Sequence, residues 1–279
     1  MKGLRGAGLW CIASAALGSA ILPGPSRPAQ APSGVTVTFL ANEGVLLSGG
    51  GSRVLIDGLF LSYGPEFAVP AESTQSALAR AAVPFDSVDL VLVTHRHGDH
   101  FHPAPVAAHL RANPRAGLVT SRQVIDSLRS LPAGRALPAA RLVSRTLPPG
   151  DRRRSVVNGI PVELLGLPHA GGRRQRHVEH LGYIVEIGGR RVLHVGDAEL
   201  SEVTLAPLRL DTMRIDVALL PAWTVTSPDA RRVIGRWIRP RHVVAFHLDA
   251  GADAGDARDV QAAWPGAVPF IRSLEARTW

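Results

Sequence analysis

Apolar residues in this chain fall in short β-branched-rich runs bounded by Gly, Pro, Asn or Asp, the pattern of buried strands rather than of amphipathic helices. Such runs predict strands at residues 35–40, 43–47 and 53–56, the last two joined by the turn-forming stretch Ser48-Gly49-Gly50-Gly51-Ser52. Further strands are predicted at 88–93, 118–120, 160–167, 215–220 and 242–246. Residues 181–187 and 190–195 flank Gly188-Gly189 and predict a hairpin with a two-residue turn. Helical spacing with capping signals appears at 72–82, 103–111, 121–131, 227–239 and 256–263. Ser121 and Ser227 stand at cap positions, and Pro103 and Pro228 stand in first turns, where a missing N–H costs nothing. Residues 132–154, rich in Pro, Arg and Gly, read as a connector at the midpoint.

Strands in groups followed by helices, twice over, place the chain in the α/β class, with two mixed sheets face to face and helices outside. Its 279 residues suffice for one domain with a sizeable core. The first 31 residues differ in kind. Lys2 and Arg5 precede an apolar run at 9–22, Pro-rich sequence follows, and Ala29-Gln30-Ala31 offers a small-residue cleavage site. That is the layout of a secretory signal peptide, which divides the chain into a leader, 1–31, and a domain, 32–279, and predicts a periplasmic or secreted protein. The apolar run is shorter than the roughly 20 residues of a membrane span, so a retained N-terminal anchor is the weaker reading and no stable span is expected after cleavage.

Cleavage after Ala31 removes Cys11, the one cysteine, so neither disulfide nor thiolate chemistry is expected of the mature domain. It also lowers the formal charge from +8, because losing Lys2, Arg5 and Arg27 leaves 28 cations against 23 acids, a net +5. Lys2 is the only lysine, and a skew this general reads as a compositional habit rather than a nucleic-acid footprint. Two clusters, Arg152-Arg153-Arg154 and Arg173-Arg174-Gln175-Arg176, read as solvated loops. The second, just after His169, has another reading as a rim attracting an anionic substrate group.

The chemistry concentrates at residues 88–102, VDLVLVTHRHGDHFH. A buried strand delivers the chain into a polar loop with His95, His97, Asp99 and His100 in six positions. His95 and His97, two apart, can converge on one ion with Arg96 turned away. Gly98 lets the backbone turn sharply and aim Asp99 and His100 at a second ion.

The pattern His-x-His-x-Asp-His resembles the signature of the metallo-β-lactamase superfamily, and later strand ends supply further ligand candidates in order: His169, Asp197 in a Gly-Asp pair, and His247. The nearest resemblance, on the spacing from His180 to Asp197, is to the L-ascorbate-6-phosphate lactonase-like and phospholipase D-like branch. It implies the αβ/βα sandwich and a binuclear centre. His95, His97 and His169 would hold one metal, Asp99, His100 and His247 the other, and Asp197 would bridge them. Asp57 resembles a structural Asp that supports the metal loop without ligating. Relatives often carry Gly-His near the first turn, where this chain has Asn42-Glu43-Gly44.

This resemblance implies an exported hydrolase that uses a metal-bridging hydroxide to cleave an ester, lactone or phosphodiester in a small-molecule substrate. Asp99 is the candidate proton acceptor, and His180 the candidate substrate contact or else a packed histidine. Zinc is the default for an imidazole-rich site, while Mn²⁺ or Fe²⁺ also suits the ligand mixture. Asp rather than Cys or Ser at the bridging position argues against a true β-lactamase, and no nucleic-acid-binding region is evident. Two rival readings are a non-catalytic metal-binding module of a surface assembly and a redox di-iron protein on the same fold. His102 and His194 read as supporting residues, His109 as packed or surface, His177 as undecided between site and surface, and His242 as incidental. Loops at 58–70, 170–180 and 223–228 are expected to build the pocket, with Phe60, Tyr63 and Phe67 as lining or core residues. The sequence leaves oligomeric state open.

Overall fold

The computed structural model describes residues 33–279; the predicted leader lies outside them. The first half runs β1 (Thr36–Ala41), β2 (Gly44–Gly49), β3 (Ser52–Ile56), α1 (Glu72–Ala79), β4 (Leu90–Val93), α2 (Pro103–Ala112), β5 (Gly117–Thr120), α3 (Arg122–Ser130), α4 (Pro132–Arg135) and β6 (Leu142–Ser144). Strands β1 to β3 pair antiparallel, and β3 to β6 parallel through the helical crossovers.

The second half repeats the scheme with β7 (Arg152–Val157), β8 (Ile160–Gly166), β9 (Leu181–Ile187), β10 (Arg190–His194), α5 (Glu202–Leu205), β11 (Val217–Pro221), α6 (Ala222–Thr226), α7 (Pro228–Trp237), β12 (His242–Phe246), α8 (Ala254–Ala263) and β13 (Val268–Pro269). Here β7 to β10 are antiparallel and β10 to β13 parallel. The last strand, β14 (Ala276–Thr278), crosses back to pair with β1. Two seven-stranded sheets result, flanked by helices, which is the αβ/βα sandwich.

The run Leu90-Val91-Leu92-Val93 shows why the central strands read as unbroken apolar stretches. Leu90 and Leu92 enter the core between the sheets with Val54, Val162, Tyr183 and Leu219, while Val91 and Val93 pack outward with Val106, Leu110 and Leu128 of the helices. On the other side, Leu193, Ala218 and Leu220 meet Ile234 and Val260. Buried Tyr183 ties the sheets together by donating its hydroxyl to Val93 O at 2.7 Å, one residue before the metal-ligand loop begins.

Two expectations are corrected. Residues 132–154 are not a bare connector; they hold α4, β6 and the start of β7. Arg152, Arg153 and Arg154 are therefore not in a loop but on edge strand β7, where exposed charge discourages pairing with another sheet. The sharp turn expected at Gly98 is present, with His97 O accepting from His100 N and Phe101 N; a Cβ there would meet Tyr63 Cδ2 at 2.5 Å. Helices α5 and α6 are additions to the expected set.

Candidate metal centre

All the ligand candidates project from the carboxyl ends of strands on one edge of the sandwich, where open α/β sheets place their sites. His95, His97, Asp99 and His100 follow β4, His169 follows β8, Asp197 follows β10, and His247 follows β12. A bridge between His169 and Ala198 and the bond from Ala170 N to Asp197 O, 2.7 Å, align the second and third of these ends. Gly196 has φ 59°, and a Cβ there would lie 2.6 Å from His180 Nε2 and 2.9 Å from Thr94 Cβ. The Gly before Asp197 is thus required twice, by conformation and by space.

The side chains gather in two groups. In the first, His95 Nε2 lies 2.9 Å from His97 Nδ1 and 3.2 Å from His169 Nε2. Asp197 Oδ2 lies 3.5 Å from His169 Nε2 and 4.0 Å from His95 Nε2. In the second, Asp99 Oδ2 is 3.2 Å from His100 Nε2 and 3.4 Å from His247 Nε2. Asp197 Oδ1 is 3.3 Å from His100 Nε2 and 3.5 Å from His247 Nε2. Ligands about 2.0–2.1 Å from a tetrahedral ion are spaced about 3.3 Å from one another. The second group matches that spacing at 3.2–3.5 Å, the first brackets it at 2.9–4.0 Å, and Asp197 gives one oxygen to each.

The donor set passes an independent test of fit. His100 Nε2, His247 Nε2 and Asp197 Oδ1 are buried without a hydrogen-bond partner, an arrangement that costs free energy unless something binds them. The imidazoles are also presented in the right tautomer. His100 Nδ1–H donates to Asp57 Oδ2 at 2.9 Å and His169 Nδ1–H donates to Ala170 O at 2.5 Å. Thr94 Oγ1 donates to Asp57 Oδ2 at 2.5 Å, so its oxygen accepts from His95 Nδ1–H at 3.0 Å. Each Nε2 is thereby the nitrogen aimed at the centre, its lone pair available to a cation once any proton there is displaced.

The electrostatics agree. Burial, then the His100 charge, push His95 well below the usual imidazole range, and burial followed by His169 takes His97 down to about 4. Burial opposes the charge of Asp99 and Asp197, yet His100 outweighs it and holds both carboxyls well below their ordinary range. Burial likewise opposes a charge on His100, but Asp197 and Asp99 outweigh it and raise its pKa. The metal-free centre therefore carries a proton on His100 among carboxylates, positive charge in a place that a bound cation would supply.

His180 is buried, its ring centroid 5.1 Å from that of His95 and 5.6 Å from that of His169, and neither ring nitrogen has a hydrogen-bond partner. Burial, then His169, push its pKa down to about 3, so it is a neutral imidazole. Asp57 stands behind the metal loop, accepting from Thr94 N at 2.8 Å, and is not aimed at the centre. His194 uses both nitrogens on backbone, Nδ1 accepting from Gly196 N and Nε2–H donating to Glu43 O. In the buried group Glu43, Asp57 and His194, the imidazole and the Asp57 carboxylate are thus already engaged in hydrogen bonds. His102 Nδ1 accepts from Leu61 N, His109 is buried against Leu78 O, and His177 and His242 are exposed. Phe60 is a core residue; Phe67 and Trp223 reach the site, with ring centroids 5.7 Å and 4.7 Å from His247.

Two residues of the site were not identified from sequence. Asn42 Nδ2 donates to Asp99 Oδ2 at 3.1 Å and to Asp99 O at 3.2 Å, fixing that carboxylate. Glu43 is fully buried with both carboxyl oxygens unpartnered, Oε2 lying 3.9 Å from His100 Nδ1. Burial, then the Asp197 carboxylate, raise its pKa well above the ordinary range. Both sit in the Asn42-Glu43-Gly44 turn, whose departure from the family pattern was the available signal.

Fold and site together define an αβ/βα sandwich with a two-part His/Asp centre, and the domain profile of the beta-lactamase superfamily matches residues 52–277. The chain belongs to that superfamily. It is similar to a UPF0173 metal-dependent hydrolase of Thermus thermophilus, 29% identical over 226 residues that cover 77% of this chain and 84% of the relative. Among solved structures it is similar to a metallo hydrolase of Ignicoccus hospitalis, with TM-score 0.58 and 18% identity over 88% of this chain and 99% of that one. The diiron β-hydroxylase CmlA of Streptomyces venezuelae shares the fold at TM-score 0.56 and 17% identity, covering 89% of this chain and 54% of that one.

Proposed function

We propose that this protein is an exported, binuclear metal-dependent hydrolase of an ester, lactone or phosphodiester in a small-molecule substrate. The observation that carries the reading is Asp197, whose Oδ2 faces the first histidine group and whose Oδ1 faces the second, at 3.3–3.5 Å from His100 and His247. His95, His97 and His169 would hold one ion, Asp99, His100 and His247 the other, and Asp197 both. Zinc suits the set best, with Mn²⁺ or Fe²⁺ accommodated by the same donors. When bound, two such ions lower the pKa of a shared water and polarise the bond under attack.

The protein's own groups supply the rest. Asp99, ionised and oriented by Asn42, is the proton acceptor, and can return the proton to the leaving oxygen. His180, neutral and unpartnered, offers a hydrogen bond to substrate. The relative in Thermus is named a metal-dependent hydrolase, which supports hydrolysis over a non-catalytic metal-binding module. The fold shared with CmlA keeps a redox di-iron reading in view. We assign the catalytic domain to residues 32–279 and export to the leader at 1–31; among the described residues no helix is long and apolar enough to cross a membrane.

The test is metal analysis of the purified chain with chromogenic phosphodiester, carboxylic ester and lactone substrates. About two ions per chain and turnover of one class are expected. Two irons with oxygen consumption and no hydrolysis would favour the redox reading; bound metal with neither activity would favour the module. N-terminal sequencing of the mature protein tests cleavage after Ala31.

A further inference from the structure

Beside the first histidine group the structure opens a cavity of about 590 Å³ that no step so far has used. Its volume suits a ligand of drug-like size. His169 and His180 form its inner end, so the metal centre and the unpartnered buried imidazole both face it. The walls carry apolar side chains, Leu147, Leu167, Val178 and Leu181 among them. Arg145, Arg173 and Arg176 stand at its margin.

These three arginines come from two separate segments. Gly171 and Gly172, with φ of 96° and 60°, reverse the chain after His169 and place Arg173 and Arg176 beside the opening. Arg145 arrives from the end of β6, held by Thr120 O accepting from its backbone N. Among the described residues, none of the three has a carboxylate within ion-pair distance, whereas Arg154, Arg191 and Arg241 each do. Two acids also line the cavity. Glu179 is engaged, its Oε2 accepting from Gln123 N at the start of α3, and Glu199 stands by Pro168. Three unpaired guanidinium groups exceed that counter-charge.

We propose that this cavity binds the substrate as an amphipathic anion, its apolar body on the Leu and Val walls and its oxyanion, a carboxylate or phosphate monoester, on Arg145, Arg173 and Arg176. The bond to be cleaved then lies at the inner end, against His169 and within reach of a hydrogen bond from His180. This deepens the hydrolase reading and rests on it for the position of the reacting bond. Guanidinium forks match both oxyanions, so the two headgroups share one recognition chemistry.

The experiment is calorimetric titration of the metal-loaded chain with octyl phosphate, octanoate and 1-octanol, for the wild type, the Arg173→Glu/Arg176→Glu double variant and Arg145→Glu. Either or both anions are expected to bind at least tenfold more tightly than the alcohol, and charge reversal to weaken anion binding at least tenfold with metal content and melting temperature unchanged. The tighter of the two anions identifies the headgroup. Should the double variant lose metal, Arg145→Glu, on another segment, carries the same test. Anion binding equal in wild type and reversed variants, or no tighter than that of 1-octanol, overturns the assignment. Arginine-dependent binding without turnover of any ester, lactone or phosphodiester would leave the cavity standing and remove the hydrolase reading. Ester turnover with a KM indifferent to substrate charge and to arginine reversal would do the opposite.

Discussion

His100 donates from Nδ1 to Asp57 Oδ2 at 2.9 Å, across 43 residues of sequence, and that bond decides which face of the imidazole meets the metal centre. Asp57 has φ 46°, a conformation that Asn tolerates and Ala does not, so removing its carboxylate and its backbone preference are separable. We expect Asp57→Ala to weaken metal binding at the second group about 10- to 100-fold, with Asp57→Asn between it and wild type. Competition with a chelator of known affinity measures this; equal affinities in all three proteins would remove Asp57 from the account.

Asp197→Ala removes the carboxylate that gives one oxygen to each group. The variant should keep a folded circular dichroism spectrum, hold fewer than two ions per chain, and lose at least about 100-fold in turnover, since a lost ion would forfeit several kcal/mol of transition-state charge stabilisation. Metal counting and initial rates check it, and full activity would end the binuclear reading.

The buried neutral histidines make the metal-free chain sensitive to acid. His180, at about 3 in the folded state against 6.5 unfolded, binds fewer protons folded than unfolded between those values. Its contribution to stability is therefore complete above pH 6.5 and is lost as pH falls toward 3, amounting to roughly 2 kcal/mol by pH 5. His97, at about 4, acts in the same direction. Urea unfolding of chelator-treated protein at pH 8 and pH 5 should show the loss, and His180→Gln should reduce it.

Glu43 carries the opposite sign. Its folded pKa is raised, so the folded chain binds more protons than the unfolded one, and stability falls as pH rises from the ordinary carboxylate range toward the raised value. Glu43→Gln, which needs no proton to be neutral, should raise the melting temperature of the metal-free chain, and the gain should grow from pH 5 to pH 8. A gain that is absent or shrinks with pH would show that Glu43 is stabilised as an anion.

Much of the fold was legible because its determinants are local. The apolar runs around Val54, Leu92 and Leu219 are buried on both faces, and the hairpin around Gly188-Gly189 is closed by its own turn. The ligands were legible for a related reason. His95, His97, Asp99 and His100 lie in one short loop, and His169, Asp197 and His247 each follow a strong strand. What escaped was weakly patterned. Edge strand β7 is solvated enough at Arg152–Arg154 to look like a loop, and α5 and α6 are too short for a helical period to show.

By itself the sequence determined the class of fold, the seven metal-ligand candidates and the likeness to one superfamily, because each depends on residues adjacent in the chain or on a repeated local pattern. Tertiary structure alone decided that Asp197 faces both groups, that Asn42 grips Asp99, that Glu43 is sealed from water, and that Arg145 joins Arg173 and Arg176 around one cavity. Those relations span tens of residues or more, and they exist only once two sheets have packed and brought their strand ends to the same edge.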